Sequence, residues 1–87
     1  MAETEWQVYI IEASDSKLYT GITTDIQQRW LLHSTGKGAK FFRGRHPKKI
    51  CYLENKHNKS SASKREAEIK KMSRTAKQSL IKQMPYG

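Results

Sequence analysis

The sequence predicts an α+β domain: a small three-stranded antiparallel sheet flanked by helices, in the order ββαβαα. Three observations carry that prediction. Residues 6–12 (WQVYIIE) and 17–23 (KLYTGIT) are rich in β-branched and aromatic residues and are separated by only four residues. A third segment of the same character, KICYL at 49–53, follows a long polar stretch. Two helical segments, 61–72 and 75–84, then close the chain.

The elements follow in order. Ala13-Ser14-Asp15-Ser16 has turn composition, and Asp15 is placed to hydrogen-bond the backbone ahead of it, so the first two strands form a hairpin. Thr24 or Asp25 can cap a helix, with Gln28 as capping-box partner of Asp25. That helix runs to Ser34 or Thr35 and stops before Gly36-Lys37-Gly38. Residues 36–49 hold three glycines, one proline and six basic residues around Phe41-Phe42 and read as a basic loop with room for a helical turn. After the third strand, residues 55–60 read as a polar connection. A break near Ser73 separates the last two helices. No repeat or low-complexity segment interrupts this order. The expected organisation is one domain over 1–87, with a core of about 6–82 and terminal tails at 1–5 and 85–87.

Composition narrows the function. The chain has 87 residues and a formal charge of +9. Its single cysteine, Cys51, excludes an internal disulfide and a cysteine-built zinc site, and its place in an apolar strand makes it a buried hydrophobe. No apolar run approaches the roughly 20 residues of a membrane span. The acidic start lacks the features of a signal peptide, so a cytoplasmic protein is expected. The charge is lopsided: residues 1–36 carry two basic and five acidic residues, residues 37–87 fifteen basic and three acidic. Such an excess points to a polyanion. Nucleic acid is favoured over a membrane surface, because no basic amphipathic helix with a Trp/Phe/Leu face is evident.

Several residues have chemical potential. The hairpin brings Tyr9 and Tyr19 onto paired strands, where tyrosines most often pack with their hydroxyls wet. A phenol, with an ordinary pKa of about 10, acts as a base at neutral pH only with cationic help nearby. Ile26, Arg29, Trp30 and His33 share one face of the first helix. Arg29 and His33 are thus either ordinary surface groups or the wall of a cleft suited to phosphate, which an arginine fork binds in bidentate fashion. Glu66 and Glu68 are both open as a functional acid. A lone carboxylate suits Mg²⁺ when water and substrate phosphate complete the shell, whereas Glu66 to Lys70 is also an ordinary helix pair.

Val8-Tyr9-Ile10 followed by Tyr19-Thr20-Gly21 resembles the paired strand motifs of the GIY-YIG nuclease superfamily. The run from Leu18 to Asp25, then Arg29, His33, Gly36-Lys37-Gly38-Ala39-Lys40 and Arg65-Glu66, is similar to its small stand-alone bacterial members over about residues 6–82. The resemblance implies a domain that hydrolyses DNA phosphodiesters with one divalent ion, Mg²⁺ or Mn²⁺, and no small-molecule cofactor; RNA stays open as a substrate. Carried over by position, it makes Tyr9 and Tyr19 the site tyrosines, with Tyr9 the general base and the reverse assignment open. Arg29 becomes the phosphate-binding residue, His33 its support and Glu66 the metal ligand. Two departures stand out. The first motif lacks its glycine, and the asparagine that many members carry after the glutamate is absent, Lys77, Gln78 and Ser79 occupying that stretch. A nucleic-acid-binding module with the same fold and weak or no catalysis is the alternative. Lys37, Lys40, Arg43, Arg45, Lys48 and Lys49 around Phe41 form the expected nucleic-acid surface, by phosphate contact and base stacking, unless the two phenylalanines pack inside.

Overall fold

A computed structural model of the chain describes residues 5–36, 40–84 and 86. Strand β1 (Trp6–Ala13) pairs antiparallel with β2 (Leu18–Thr23) through the predicted hairpin. Asp15 Oδ1 accepts from the Lys17 amide at 3.3 Å, and Ser16 takes a left-handed φ of 69° to close the turn. Helix α1 (Ile26–Ser34) starts at Asp25, whose side chain accepts from the Gln27 and Gln28 amides. A 3₁₀ turn (Lys40–Phe42) follows, then β3 (Pro47–His57), α2 (Lys59–Lys70) and α3 (Arg74–Gln83). The sheet order is β2-β1-β3, so the first strand in sequence is the middle one in space.

That position makes β1 apolar on both faces. Val8 and Ile10 point to one side, where Cys51, Tyr52, Ala62 and Ile69 bury with them under α2 and α3. Tyr9, Ile11 and Ala13 point to the other and pack with Ile26 and Phe42 under α1. Strand alternation thus divides the molecule into two half-cores that share one backbone.

The boundaries of β3 and α2 differ from the sequence reading. Strand β3 begins at Pro47 rather than 49, which takes Lys48 and Lys49 out of the basic loop, and it does not end at residue 53 but continues to His57. Its last residues pair with β1 while Glu54 and His57 reach α2 and Asn55 and Lys56 stay exposed, a polar pattern that reads locally as a connection. Helix α2 starts at Lys59 rather than 61, because Asn58 is the cap: its side chain accepts from the Ser61 amide, and Ser61 Oγ accepts from the Asn58 amide in return. The tails at 1–5 and 85–87 fall largely outside the described residues.

Cys51 is buried, and burial pushes its thiol above the ordinary range. Alkylation of the native protein with iodoacetamide should therefore be slow and should accelerate sharply in denaturant, followed by mass spectrometry. Equal rates in the two conditions would contradict this packing.

Candidate active site

The register sets the centre. Tyr9 lies opposite Gly21, and Ile11 opposite Tyr19, so both tyrosines rise from the same face of the hairpin. The Tyr9 ring lies flat across the position of the missing side chain: a Cβ built on Gly21 would stand 2.5 Å from Tyr9 Oη and 2.7 Å from its Cζ. Glycine in the Tyr-Thr-Gly motif is thus a steric requirement of the first tyrosine. The ring centroids of Tyr9 and Tyr19 are 6.2 Å apart.

Helix α1 covers the pair. His33 is buried, not a surface histidine, and its Nε2 lies 3.0 Å from Tyr9 Oη in a buried hydrogen bond. Tyr19 meets the His33 ring edge-on at 5.3 Å. Phe42 closes the far side, 4.4 Å from His33 and 5.2 Å from Tyr19 between ring centroids. Arg29 sits one turn before His33, half-buried, and no carboxylate of the described residues forms an ion pair with it. Glu66 on α2 is partly shielded, 3.4 Å from Lys70 Nζ, and its charge is felt at the Tyr9 phenol.

The electrostatics at Tyr9 tie these groups together. Burial pushes the phenol well above its ordinary range, and Tyr19 and Glu66 push it further, while the Arg29 guanidinium pulls it down. In the free protein Tyr9 is therefore a neutral phenol that responds to Arg29 and Glu66. Four residues from β2, α1 and α2 thus act on the one hydroxyl of Tyr9. Glu68 lies on a more exposed part of α2, 3.9 Å from Arg65, which separates it from Glu66.

Among the described residues no three His, Cys, Asp or Glu side chains gather into a metal cage. The lone Glu66 carboxylate nonetheless fits a hard divalent cation, which takes one or two protein carboxylates and completes its shell with water and phosphate.

The expected nucleic-acid residues divide by environment. Lys40, Arg43 and Lys48 are exposed; Lys37 lies outside the described residues. Lys49 is exposed on β3, 4.0 Å from Glu12. Phe42 is a wall of the site, while Phe41 is half-buried beside Tyr19 at 5.2 Å. Arg45 is taken up by the fold: it donates from Nε to Asp15 at 2.7 Å and from Nη1 to the Phe41 carbonyl at 3.0 Å, and its guanidinium covers the Phe41 ring. A hollow of about 490 Å³ against Trp30, Leu31 and Ile50 contains none of the five site residues.

A family model described as the GIY-YIG catalytic domain matches residues 5–79, across the whole sheet and all but the end of the last helix. The chain belongs to the GIY-YIG family. It is 52% identical over 79 residues to a UPF0213 protein of Syntrophus aciditrophicus, covering 90% of this chain and 91% of that one. It is 48% identical over 74 residues to a UPF0213 protein of Halobacterium salinarum, covering 85% and 96%. A solution NMR structure of a UPF0213 protein from Bacillus halodurans has the same fold, with a TM-score of 0.58 and 40% identity over 90% of this chain and 83% of that one. Membership makes the function nuclease-like and implies a nucleic-acid substrate.

One cluster escaped the sequence reading. Glu54 at the end of β3 accepts from Tyr52 Oη, from Arg65 Nε at 2.8 Å, and pairs with His57 Nε2 at 2.8 Å; His57 Nδ1 is 2.9 Å from Ser61 Oγ. These contacts fasten α2 to the sheet through the residue just before Glu66. Only the change from a polar connection to a strand reveals them, because the partners are separated in sequence.

Two outcomes follow from this geometry. Gly21→Ala should destabilise the fold by about 1–3 kcal/mol, because the Tyr9 ring held by His33 has little room to retreat; a chemical-denaturation midpoint equal to the parent's would contradict the close approach. Burial alone would raise the Glu54 carboxyl, but hydrogen bonds from Tyr52, Arg65 and His57 outweigh it and hold the group below its ordinary range. Its contribution is therefore present above the unfolded-state pKa of about 4 and lost as pH falls through the lower folded value. Glu54→Gln should cost about 2 kcal/mol at neutral pH and flatten the acid decline of thermal stability. A parental melting profile would count against the clamp.

Proposed function

We propose that the protein is a divalent-metal-assisted nuclease that cuts phosphodiester bonds in DNA, with Tyr9, Tyr19, Arg29, His33 and Glu66 as its reaction centre. The observation that carries this reading is the buried hydrogen bond between Tyr9 Oη and His33 Nε2, under the influence of a half-buried arginine with no ion-pair partner among the described residues and of a carboxylate. A raised phenol is a poor base in isolation. With Nε2 unprotonated, however, Tyr9 donates its hydroxyl proton to His33 while it takes the proton of the attacking water. No free phenolate then has to persist in the buried site.

The remaining residues act on charge. Arg29 presents an unclaimed fork to the non-bridging oxygens of the scissile phosphate. Tyr19 packs against both Tyr9 and His33 and keeps their hydrogen bond aligned. Glu66 would hold the divalent ion, which when bound supplies positive charge to the phosphate and its leaving oxygen. As the water oxygen bonds to phosphorus, the ester oxygen departs on the opposite side and takes its proton from solvent; after the product leaves, His33 returns its proton to Tyr9 as Tyr9 gives one up to solvent.

Arg29→Ala and Glu66→Ala should each slow cleavage of a labelled DNA panel by on the order of 10²–10³-fold, with binding nearly intact. Tyr9→Phe should be as severe because it breaks the relay and keeps the ring, whereas Glu68→Ala should cut at close to the parental rate. Initial rates at saturating DNA, with thermal melts alongside, decide the matter. Undiminished cleavage by Glu66→Ala would remove the metal role, and binding without cleavage by the parent would leave a nucleic-acid-binding module.

A further inference from the structure

Cations that the loop does not include converge at the turn end of the β1–β2 hairpin. Lys17 and Leu18 from the hairpin, Phe41 from the 3₁₀ turn, and Arg74 and Lys77 from the start of α3 line a hollow of about 240 Å³. None of these three cations forms an ion pair with an acid among the described residues. The hairpin's own acids are engaged elsewhere, Asp15 with Arg45 and Glu12 beside Lys49. Three positive groups around one small hollow repel one another and concentrate a potential that an anion would relieve.

The hollow is also placed next to the chemistry. Its Phe41 ring is 5.2 Å from the ring of Tyr19, which lies beside Tyr9, while Leu18 turns to the opposite face toward α3, so the hollow lies at the β2 edge between the two faces. Arg74 also borders a second hollow of about 320 Å³ that Lys49 and Lys82 share with Glu12, so cations in excess of the one acid continue along α3. We propose that this hollow is a strand-binding subsite. A single nucleic-acid strand passes through it to or from the tyrosine pair, its phosphates held by Lys17, Arg74 and Lys77, with Phe41, whose ring Arg45 covers on one side, offering a base only the apolar part that lines the hollow. The path of the strand rests on the nuclease reading of the adjoining site.

Size and chemistry favour this occupant. The hollow falls below the roughly 300–1,000 Å³ of pockets that enclose a small molecule, so its ligand crosses it. A duplex keeps its bases stacked and has none to offer Phe41, whereas a single strand presents both phosphate and base faces.

The test compares the parent with a Lys17→Ala, Arg74→Ala, Lys77→Ala triple variant. Both are titrated in EDTA with labelled single-stranded DNA, single-stranded RNA and duplex DNA across a salt series. Three lost phosphate contacts should lower the single-strand salt slope by about two, with ~10-fold or greater loss of affinity at low salt and a smaller loss on duplex. Comparable losses on DNA and RNA would mark a subsite blind to the sugar. Single replacements by Gln should each take about 0.7 from the slope, which keeps the test open if the triple variant melts early. A parental slope in the folded variants, or equal losses on duplex and single strand, would overturn the subsite. Glu66→Ala separates this proposal from the nuclease reading: it should keep the parental slope while losing cleavage. A lowered slope in the triple variant of a protein that cuts nothing would retain the subsite and remove the reaction centre.

Discussion

The close approach of β1 and β2 at Tyr9 and Gly21 governs the rest of the arrangement. A strand pair normally separates its side chains by pleat and register, but here one partner has none, and the tyrosine ring occupies the vacant place. The ring is buried on every side and has little room to move. His33 meets its hydroxyl from α1, Tyr19 stands beside it, and Phe42 seals the remaining gap. Such packing leaves the Tyr9 hydroxyl a fixed direction for its hydrogen bond to His33.

The two faces of the sheet carry different duties. The α1 face holds the aromatic cluster and the arginine. The other face holds an aliphatic half-core and, at its rim, the Glu54 clamp that anchors α2. Glu66 belongs to the helix of the second face yet acts on a hydroxyl of the first, as its influence on Tyr9 indicates. The anchoring of α2 is thus coupled to the electrostatics across the sheet. Arg65 and Glu66 point to different sides of the helix: Arg65 is spent on Glu54, while the ion pair of Glu66 is the partly exposed Lys70 contact, which leaves it open to exchange partners.

Much of this was legible in the sequence because it is local. Strand alternation placed Tyr9 opposite in facing to Val8 and Ile10, helical spacing put Arg29 and His33 on one face, and the motif pair carried the family. The environments of those residues were less accessible. That His33 is buried, that Phe42 walls the site while Phe41 lines its approach, and that Arg45 closes onto Asp15 all depend on where the basic loop folds back. Glu54 and Arg65 are eleven residues apart and join two different elements, so no periodicity links them. The convergence of Lys17 with Arg74 and Lys77 spans most of the chain. Charge composition announces an excess of cations without saying which of them meet.

The order β2-β1-β3 has a consequence for synthesis. The middle strand is made first, and it carries the apolar run Val8–Ile11 that both half-cores require. A hairpin with β2 can satisfy one edge of β1 early, but the other edge waits for Pro47–His57 to leave the ribosome. During that interval the nascent chain exposes an apolar ribbon with unpaired backbone groups, the kind of surface that recruits neighbours. The intervening segment, helix α1 and its basic loop, is by then available to shield one face of that ribbon. Vectorial folding of this small domain is therefore exposed at one strand edge until β3 docks, and the late arrival of α2 and α3 completes the cover on the opposite face.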